Sequence, residues 1–305
     1  MAETSPARKT SSDAMTAPSS RTSEMLDAGR GFMVHGARQL DLESTAPDPR
    51  AAIRAEIREG VRALRPVVGD WLYATYHTPG LLPQSDVENV LFTNADATGG
   101  LFGAVTRCGL VFELVPRSRP EAPGPMSHEY RLAPEGRAPA AWSRGKRLAF
   151  GERIAVPSFP TATRSGFVWW DLVHSSIVVT ARDSAPRTFC VDLVVEAPTG
   201  THPVLAKHIK VAVDATVLAL SHENGRSPAE GIEIFARSIG QPVERVLVLL
   251  KDDQYSVFGA HRLVNARGQA QPPDSGCVLG SLSCIASPDA SWRLSFSVHE
   301  VVPRE

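Results

Sequence analysis

Acidic side chains are concentrated in one short stretch of the sequence, Ser85-Asp86-Val87-Glu88-Asn89-Val90-Leu91-Phe92. Asp86 and Glu88 are two residues apart, and on a β-strand this spacing puts both carboxylates on the same face. Asn89 could add a carbonyl oxygen. Oxygen ligands with open water positions suit Mg²⁺ or Mn²⁺, and such sites hydrolyse phosphoryl groups. The stretch therefore predicts a metal site with Asp86 and Glu88 as ligands.

The same stretch also fits a second, structural interpretation. Ser85 or Asp86 could cap a short helix, since acidic residues are favoured at the start of a helix. In that case Val87, Val90 and Leu91 would face the core. The sequence leaves both interpretations open.

A second pair of charged residues lies on a helix that apolar periodicity predicts over residues 203–221. In the functional interpretation, Lys210 contacts a phosphate and Asp214 is a third metal ligand beside Asp86 and Glu88. In the alternative, Lys210 and Asp214 form an i,i+4 ion pair on a solvated helix face, which contributes a few tenths of a kcal/mol at most.

Two more acids, Asp252 and Asp253, follow the apolar run Val243–Leu250, which we interpret as a buried strand. Acids at a strand end are a second possible source of a third ligand, and they are equally typical of a plain turn. His77 is the histidine nearest the acidic stretch and is a candidate proton carrier. It is equally compatible with a structural role.

The run Asp86–Phe92 is similar to a motif of an uncharacterised bacterial protein family of comparable length, for which no activity is known. A fainter similarity links the chain to RusA-type Holliday-junction endonucleases. That family has Asp-x-Asp-Asn, then Lys-x-x-x-Asp in a helix, and later Asp-Asp. Here Asp86-x-Glu88-Asn89, Lys210-x-x-x-Asp214 and Asp252-Asp253 resemble the three parts. The family has these parts nearly contiguous, whereas more than 100 residues separate the first two here. The resemblance implies Mg²⁺-dependent cleavage of nucleic acid.

Composition limits the classes of protein that fit. The chain has 305 residues and a net charge of −1, so no global charge attracts it to nucleic acid or to an anionic membrane. Neither a phosphate-binding glycine loop nor a serine-hydrolase elbow is present. The N-terminus lacks the apolar segment of a secretory signal. We expect a cytoplasmic protein with reduced cysteines and no membrane contact.

The expected fold class is α+β, with a mostly antiparallel sheet and a few packed helices, which two subdomains of similar size could share. Residues 1–47 are rich in Ser, Thr, Ala and Pro and predict a disordered tail. An N-terminal subdomain over 48–135 begins with a helix at 49–65, which Asp48 and Pro49 would start.

An irregular connection at 136–165 leads to a C-terminal subdomain at 166–305. There Phe167-Val168-Trp169-Trp170 predicts a strand, whose tryptophans either stack on bases or fill the core. The capping box Ser227-Pro228-Ala229-Glu230 predicts a helix over residues 228–239.

Two functional hypotheses follow. The first is a non-catalytic interaction protein or subunit of a larger complex. It needs no cofactor and binds a protein partner through residues 1–47, with Phe32-Met33-Val34 as an apolar docking element. The second is a nuclease or phosphodiesterase dependent on Mg²⁺ or Mn²⁺, with nucleic acid as its substrate. Its candidate residues are Asp86, Glu88, Lys210 and Asp214.

Overall fold

A computed structural model describes residues 23–36, 39–40, 50–79, 86–96, 100–116, 126–138, 140–161, 164–182 and 184–304. Within these residues the strands are β1 (Ser23–Asp27), β2 (Gly31–Gly36), β3 (Asp70–Thr78), β4 (Gly109–Pro116), β5 (Met126–Pro134), β6 (Trp142–Ala155), β7 (Ile177–Val179), β8 (Phe189–Pro198), β9 (His222–Glu223), β10 (Ala260–His261), β11 (Cys277–Ser287) and β12 (Arg293–Pro303). The α-helices are α1 (Ala51–Ala63), α2 (Ser165–Val173), α3 (Leu205–Ala219), α4 (Ala229–Ser238) and α5 (Val243–Lys251).

Ten strands form one sheet in the order β1-β2-β5-β3-β4-β11-β8-β12-β6-β7. Neighbours are antiparallel except for the pairs β3–β4 and β8–β11, which are parallel. The short strands β9 and β10 pair separately. This architecture confirms the α+β fold with a mostly antiparallel sheet.

The two faces of the sheet differ in burial. Along β3, Leu72, Ala74 and Tyr76 are buried, whereas Trp71 and Tyr73 are half-buried on the other face. The buried face packs under the helices, and α3 lies against both β4 and β11. Because β3 is parallel to β4 and β4 is antiparallel to β11, the end of β3 and the start of β11 lie at the same edge of the sheet.

Three helices confirm the periodicity of the sequence. The helix α1 lies within the predicted range 49–65, and Ile57 and Val61 are on its buried face. The predicted cap residues Asp48 and Pro49 are outside the described residues. The helix α3 falls within the predicted 203–221. The helix α4 follows Pro228 within the predicted range 228–239, but no side chain caps its start, because the Ser227 hydroxyl donates to Glu223 instead.

Two segments predicted as strands are helices. Val243–Leu250 lies in α5, where Val246 and Leu250 are buried at helical spacing and Val248 is 68% exposed. Glu244 in the first turn and Lys251 in the last also favour the helix through its dipole. Phe167-Val168-Trp169-Trp170, which we had interpreted as a strand, lies in α2. In both segments, β-branched and aromatic residues suggested a strand, although the buried side chains recur at helical spacing.

The predicted domain boundaries need two corrections. Residues 23–36 of the predicted tail form β1 and β2, because Phe32 and Val34 bury their side chains and β2 pairs with β5. Residues 1–22 lie outside the described residues. The connection predicted as irregular at 136–165 contains β6, which pairs with β12. Strands from both predicted subdomains share the single large sheet.

Candidate metal centre

The stretch that carries Asp86 and Glu88 is helical rather than extended. Residues 87–88 begin a helical turn, and Asn89–Thr93 continue it with π-helical geometry. The backbone N–H of Val90 donates to the carbonyl of Asp86 at 3.2 Å, and the side-chain amide of Asn89 donates to the Asp86 carboxylate at 3.0 Å. The predicted strand is therefore wrong, and the helical interpretation describes the backbone.

Apolar side chains fix the orientation of this turn. Val87, Val90 and Leu91 are fully or almost fully buried, as the helical interpretation expects. The Tyr130 hydroxyl on β5 donates to the carbonyl of Leu91 at 2.7 Å. Ser85, the other predicted cap, is outside the described residues. With its apolar side anchored in the core, the turn directs both carboxylates toward α3, where they meet Lys210.

Lys210 on α3 is the centre of a cluster of four carboxylates. Its Nζ lies 2.6 Å from Asp86 Oδ2, 3.3 Å from Glu88 Oε1, 2.5 Å from Asp214 Oδ1 and 2.6 Å from Asp274 Oδ2. The Lys210 and Asp214 side chains are only 22% and 14% exposed. They are therefore not an isolated ion pair on a solvated helix face, and all four candidate residues from the sequence lie together.

Asp274 is the member of the cluster that sequence reasoning missed. It lies in a short 3₁₀ turn, Asp274–Gly276, immediately before β11, and is 6% exposed. Its sequence context, Pro272-Pro273-Asp274-Ser275-Gly276, is that of an ordinary turn. Because β3 and β11 run in opposite directions, the start of β11 lies at the same end of the sheet as the end of β3. Only this arrangement brings the turn that carries Asp274 close to the segment that follows β3.

Asp252, the other candidate third ligand, is not in the cluster. Asp252 and Asp253 are exposed at the end of α5. The Asp252 carboxylate accepts a hydrogen bond from the backbone N–H of Gln254 at 2.9 Å. This is the plain-turn alternative, so the similarity to the Asp-Asp part of the RusA pattern does not extend to the site.

Burial dominates the electrostatics of the cluster. It raises the pKa of Glu88 to about 8, with Lys210 opposing the shift only in part. Burial also raises the pKa of Asp86 and that of Asp214 above their ordinary values. For Asp274 burial acts in the same direction, but the ammonium of Lys210 and hydrogen bonds with Asp214 and Asp86 together outweigh it and lower the pKa. At neutral pH the cluster therefore retains protons that a bound cation would displace.

The donor set fits a hard divalent cation. Glu88 is fully buried, and within the described part of the chain neither of its carboxylate oxygens accepts a hydrogen bond. An ammonium has three N–H groups, fewer than the four carboxylates around Lys210. One oxygen each from Asp86, Glu88 and Asp274 lies within 4.8 Å of the other two. Carboxylate-only ligands suit Mg²⁺ or Mn²⁺. Asp214, the predicted third ligand, lies outside this group of three and contacts the same ammonium.

A cavity of about 300 Å³ lies next to the cluster and shares Lys210 and Asp214 with it. The start of α2, the helix α4 and the loop before Ala270 form its other walls. Substrate could therefore reach the cluster from the side of α3 that carries Lys210 and Asp214.

The remaining sequence candidates have structural roles. His77 pairs with Glu129 at 3.0 Å across β3 and β5 and is not part of the cluster. Trp169 is buried against Phe235, and Trp170 packs against the tilted ring of His174. The four cysteines are free thiols.

No protein-family model matches this chain, and comparison with the curated proteins finds no match. Within the described residues, no helix is both long and apolar enough to cross a bilayer. The functional inference therefore depends on the geometry and chemistry of the cluster.

Proposed function

We propose that this protein is a phosphodiesterase or nuclease that depends on Mg²⁺ or Mn²⁺, with Asp86, Glu88 and Asp274 as the metal ligands. The observation that supports the proposal most directly is the convergence of three carboxylate oxygens within 4.8 Å around the fully buried Glu88, whose oxygens accept no hydrogen bond from a described residue. A buried carboxylate without such a partner is costly, and a coordinated cation would compensate it.

The chemistry divides between the metal and the side chains. A bound Mg²⁺ or Mn²⁺ would polarise the phosphoryl group and lower the pKa of a bound water. Lys210 lines both the cluster and the cavity, so its ammonium can contact a phosphate oxygen that enters from the cavity. Asp214 lies beside it with a raised pKa. A carboxyl group that keeps its proton to a higher pH than usual can serve as a general acid beside the phosphate.

The interaction-protein hypothesis loses its predicted apolar docking element, Phe32-Met33-Val34. Phe32 is 2% exposed and Val34 is 0% exposed, and the Phe32 ring stacks on Tyr130 with ring centroids 5.1 Å apart. These side chains belong to the chain's own core and are not available for docking. The protein partner expected for residues 1–47 stays a prediction.

Titration calorimetry with Mn²⁺ and Mg²⁺ tests the metal site, and Mn²⁺-dependent cleavage of labelled single-stranded, double-stranded and branched DNA and RNA tests the activity. We expect wild type to bind and cleave, and Glu88→Gln and Asp274→Asn to lose both. The matched control is Asp252→Asn, which removes an exposed carboxylate outside the cluster and should behave as wild type. Absence of metal binding by the wild-type protein, or equal binding by Glu88→Gln, would overturn the proposal.

A further inference from the structure

The cavity beside the cluster has a basic rim on its outer side. Arg164 and Arg267 both line the cavity and are both exposed. Within the described part of the chain, neither guanidinium forms an ion pair with a carboxylate. Two such guanidinium groups facing one cavity are typical of a site for an anion, and arginine binds phosphate with paired N–H groups.

The start of α2 adds backbone donors to the same wall. The helix begins at Ser165, and the N–H groups of Ser165 and Gly166 have no partner within the helix. No side chain caps this end. Ser165 and Gly166 both line the cavity, so the positive end of the helix dipole faces it.

The side chain of Ser165 adds a hydrogen-bond donor to the same wall. Ser165 is 8% exposed, lines the cavity and forms no side-chain hydrogen bond with a described residue. Its hydroxyl can therefore donate to a ligand in the cavity, and a phosphate oxygen would accept that hydrogen bond. Glycine at position 166 lets α2 approach α4 closely, because a Cβ there would lie 2.7 Å from the Phe235 ring.

We infer that this cavity is a phosphate-binding subsite that holds one nucleotide unit of the substrate, with Arg164, Arg267 and Ser165 on the phosphate. The inference rests on the proposed function for its choice of a nucleotide over other phosphates. The volume of about 300 Å³ is at the lower end for ligand pockets and admits a single nucleotide rather than a duplex. Since Lys210 and Asp214 form the inner wall, the phosphate next along the chain lies at the metal cluster.

Binding of thymidine 5′-monophosphate, measured by calorimetry with and without Mn²⁺, tests the subsite without any turnover. Thymidine is the control ligand without the phosphate. We expect Arg164→Ala and Arg267→Ala each to weaken the nucleotide about tenfold or more, as the loss of a charge-assisted hydrogen bond implies. Arg245→Ala, which removes an exposed arginine of α5 outside the cavity, is the matched control and should bind as wild type.

Short oligothymidylates with and without a 5′-phosphate separate a terminal phosphate from an internal one as the natural ligand. Equal binding of thymidine and its monophosphate, or unchanged binding by both arginine variants, overturns the subsite. Mn²⁺ titration of the same variants keeps the two inferences apart. If the arginine variants bind both Mn²⁺ and the nucleotide as wild type does, only the phosphate-binding subsite is refuted. If the protein binds no Mn²⁺ but binds the nucleotide, and if this binding needs the two arginines, the proposed function is refuted and the cavity is a phosphate site without that function.

Discussion

Lys210 occupies the position at which the four carboxylates of the cluster converge. Its Nζ lies within 3.3 Å of all of them, and its side chain is partly open to the neighbouring cavity. With all four acids ionised, four negative charges against one positive charge leave a net charge of −3. A divalent cation bound by these carboxylates would compete with the ammonium for the same oxygens.

Replacing Lys210 by Met tests this arrangement. In the metal-free protein the change removes the only cation that contacts the cluster within the described residues, so we expect the free energy of unfolding to fall by about 3–5 kcal/mol. The affinity for Mn²⁺ should rise, because the ammonium no longer competes for the same carboxylate oxygens. Cleavage should fall with the loss of the phosphate contact. Urea unfolding and Mn²⁺ calorimetry measure the first two effects.

Lys207→Met is the matched control, since Lys207 is exposed on the same helix and belongs to no ion pair of the described residues. It should leave stability and Mn²⁺ affinity unchanged. Weaker Mn²⁺ binding by Lys210→Met than by wild type would contradict a cation position shared by lysine and metal.

Among the elements, α4 holds the loop that carries Arg267 in place. Gly231 lies inside α4, and a Cβ there would be 2.2 Å from the backbone carbonyl oxygen of Asn265. A backbone atom cannot rotate away, so the loop itself has to move. Gly268, in the same loop, has a φ of +70° and packs against Ile234. The close approach of this helix and this loop therefore shapes one wall of the cavity.

Gly231→Ala is expected to destabilise the protein although alanine favours a helix. In an open helix the change would stabilise by about 1 kcal/mol, whereas the clash with Asn265 should cost about 1–3 kcal/mol. Displacement of the loop should weaken nucleotide binding and leave Mn²⁺ affinity near that of wild type. Chemical unfolding and the two titrations measure these effects. Glu233→Ala, at an exposed site of α4, is the control. A stabilised Gly231→Ala would refute the close contact.

The elements that the sequence predicts correctly are those with a local signal. The apolar period over 203–221 identifies α3, and Pro228 with its neighbours identifies α4. Val243–Leu250 was wrongly predicted as a strand, because an apolar run with β-branched residues fits a strand as well as a short helix. Only burial in the folded protein decides between the two. The strand β6 was missed because Gly145 and Gly151 interrupt its pattern.

The candidate site was predictable in part for the same reason. Asp86, Glu88, Lys210 and Asp214 were identified as residue types that bind metal and phosphate, and they meet in the fold. The prediction that a strand aligns Asp86 with Glu88 was wrong. Instead, both carboxylates lie together because both contact Lys210 on α3. Asp274 has no local signal, because its role depends on where β11 begins relative to β3.

At the scale of the whole molecule, the cluster joins three distant parts of the chain. Asp86 and Glu88 follow β3, Lys210 and Asp214 come from α3, and Asp274 precedes β11. A cation bound by Asp86, Glu88 and Asp274 would therefore connect the turn after β3 with the start of β11. Such a ligand set exists only in the folded chain, so metal binding and global folding are linked.

This linkage predicts that Mn²⁺ stabilises the whole protein in a pH-dependent way. At a free Mn²⁺ concentration 100 times the dissociation constant, the free energy of unfolding should rise by about 2.7 kcal/mol. The pKa of Glu88 is raised from 4.5 to about 8. Its protonated form therefore stabilises the metal-free protein below pH 4.5, and this contribution is lost as the pH rises toward 8. Mn²⁺ needs the ionised carboxylate, so its stabilising effect should grow over the same range.

Thermal unfolding of the metal-free and Mn²⁺-loaded protein at pH 6 and pH 8.5 measures both trends. The metal-free protein should unfold at a lower temperature at pH 8.5, and the increase on adding Mn²⁺ should be larger there. Glu88→Gln keeps the shape of the protonated acid but cannot ionise, so it should flatten the contribution of this site to the pH dependence and abolish the Mn²⁺ effect. An Mn²⁺ stabilisation that is equal at both pH values, or that persists in Glu88→Gln, would mean that the ion binds elsewhere on the chain.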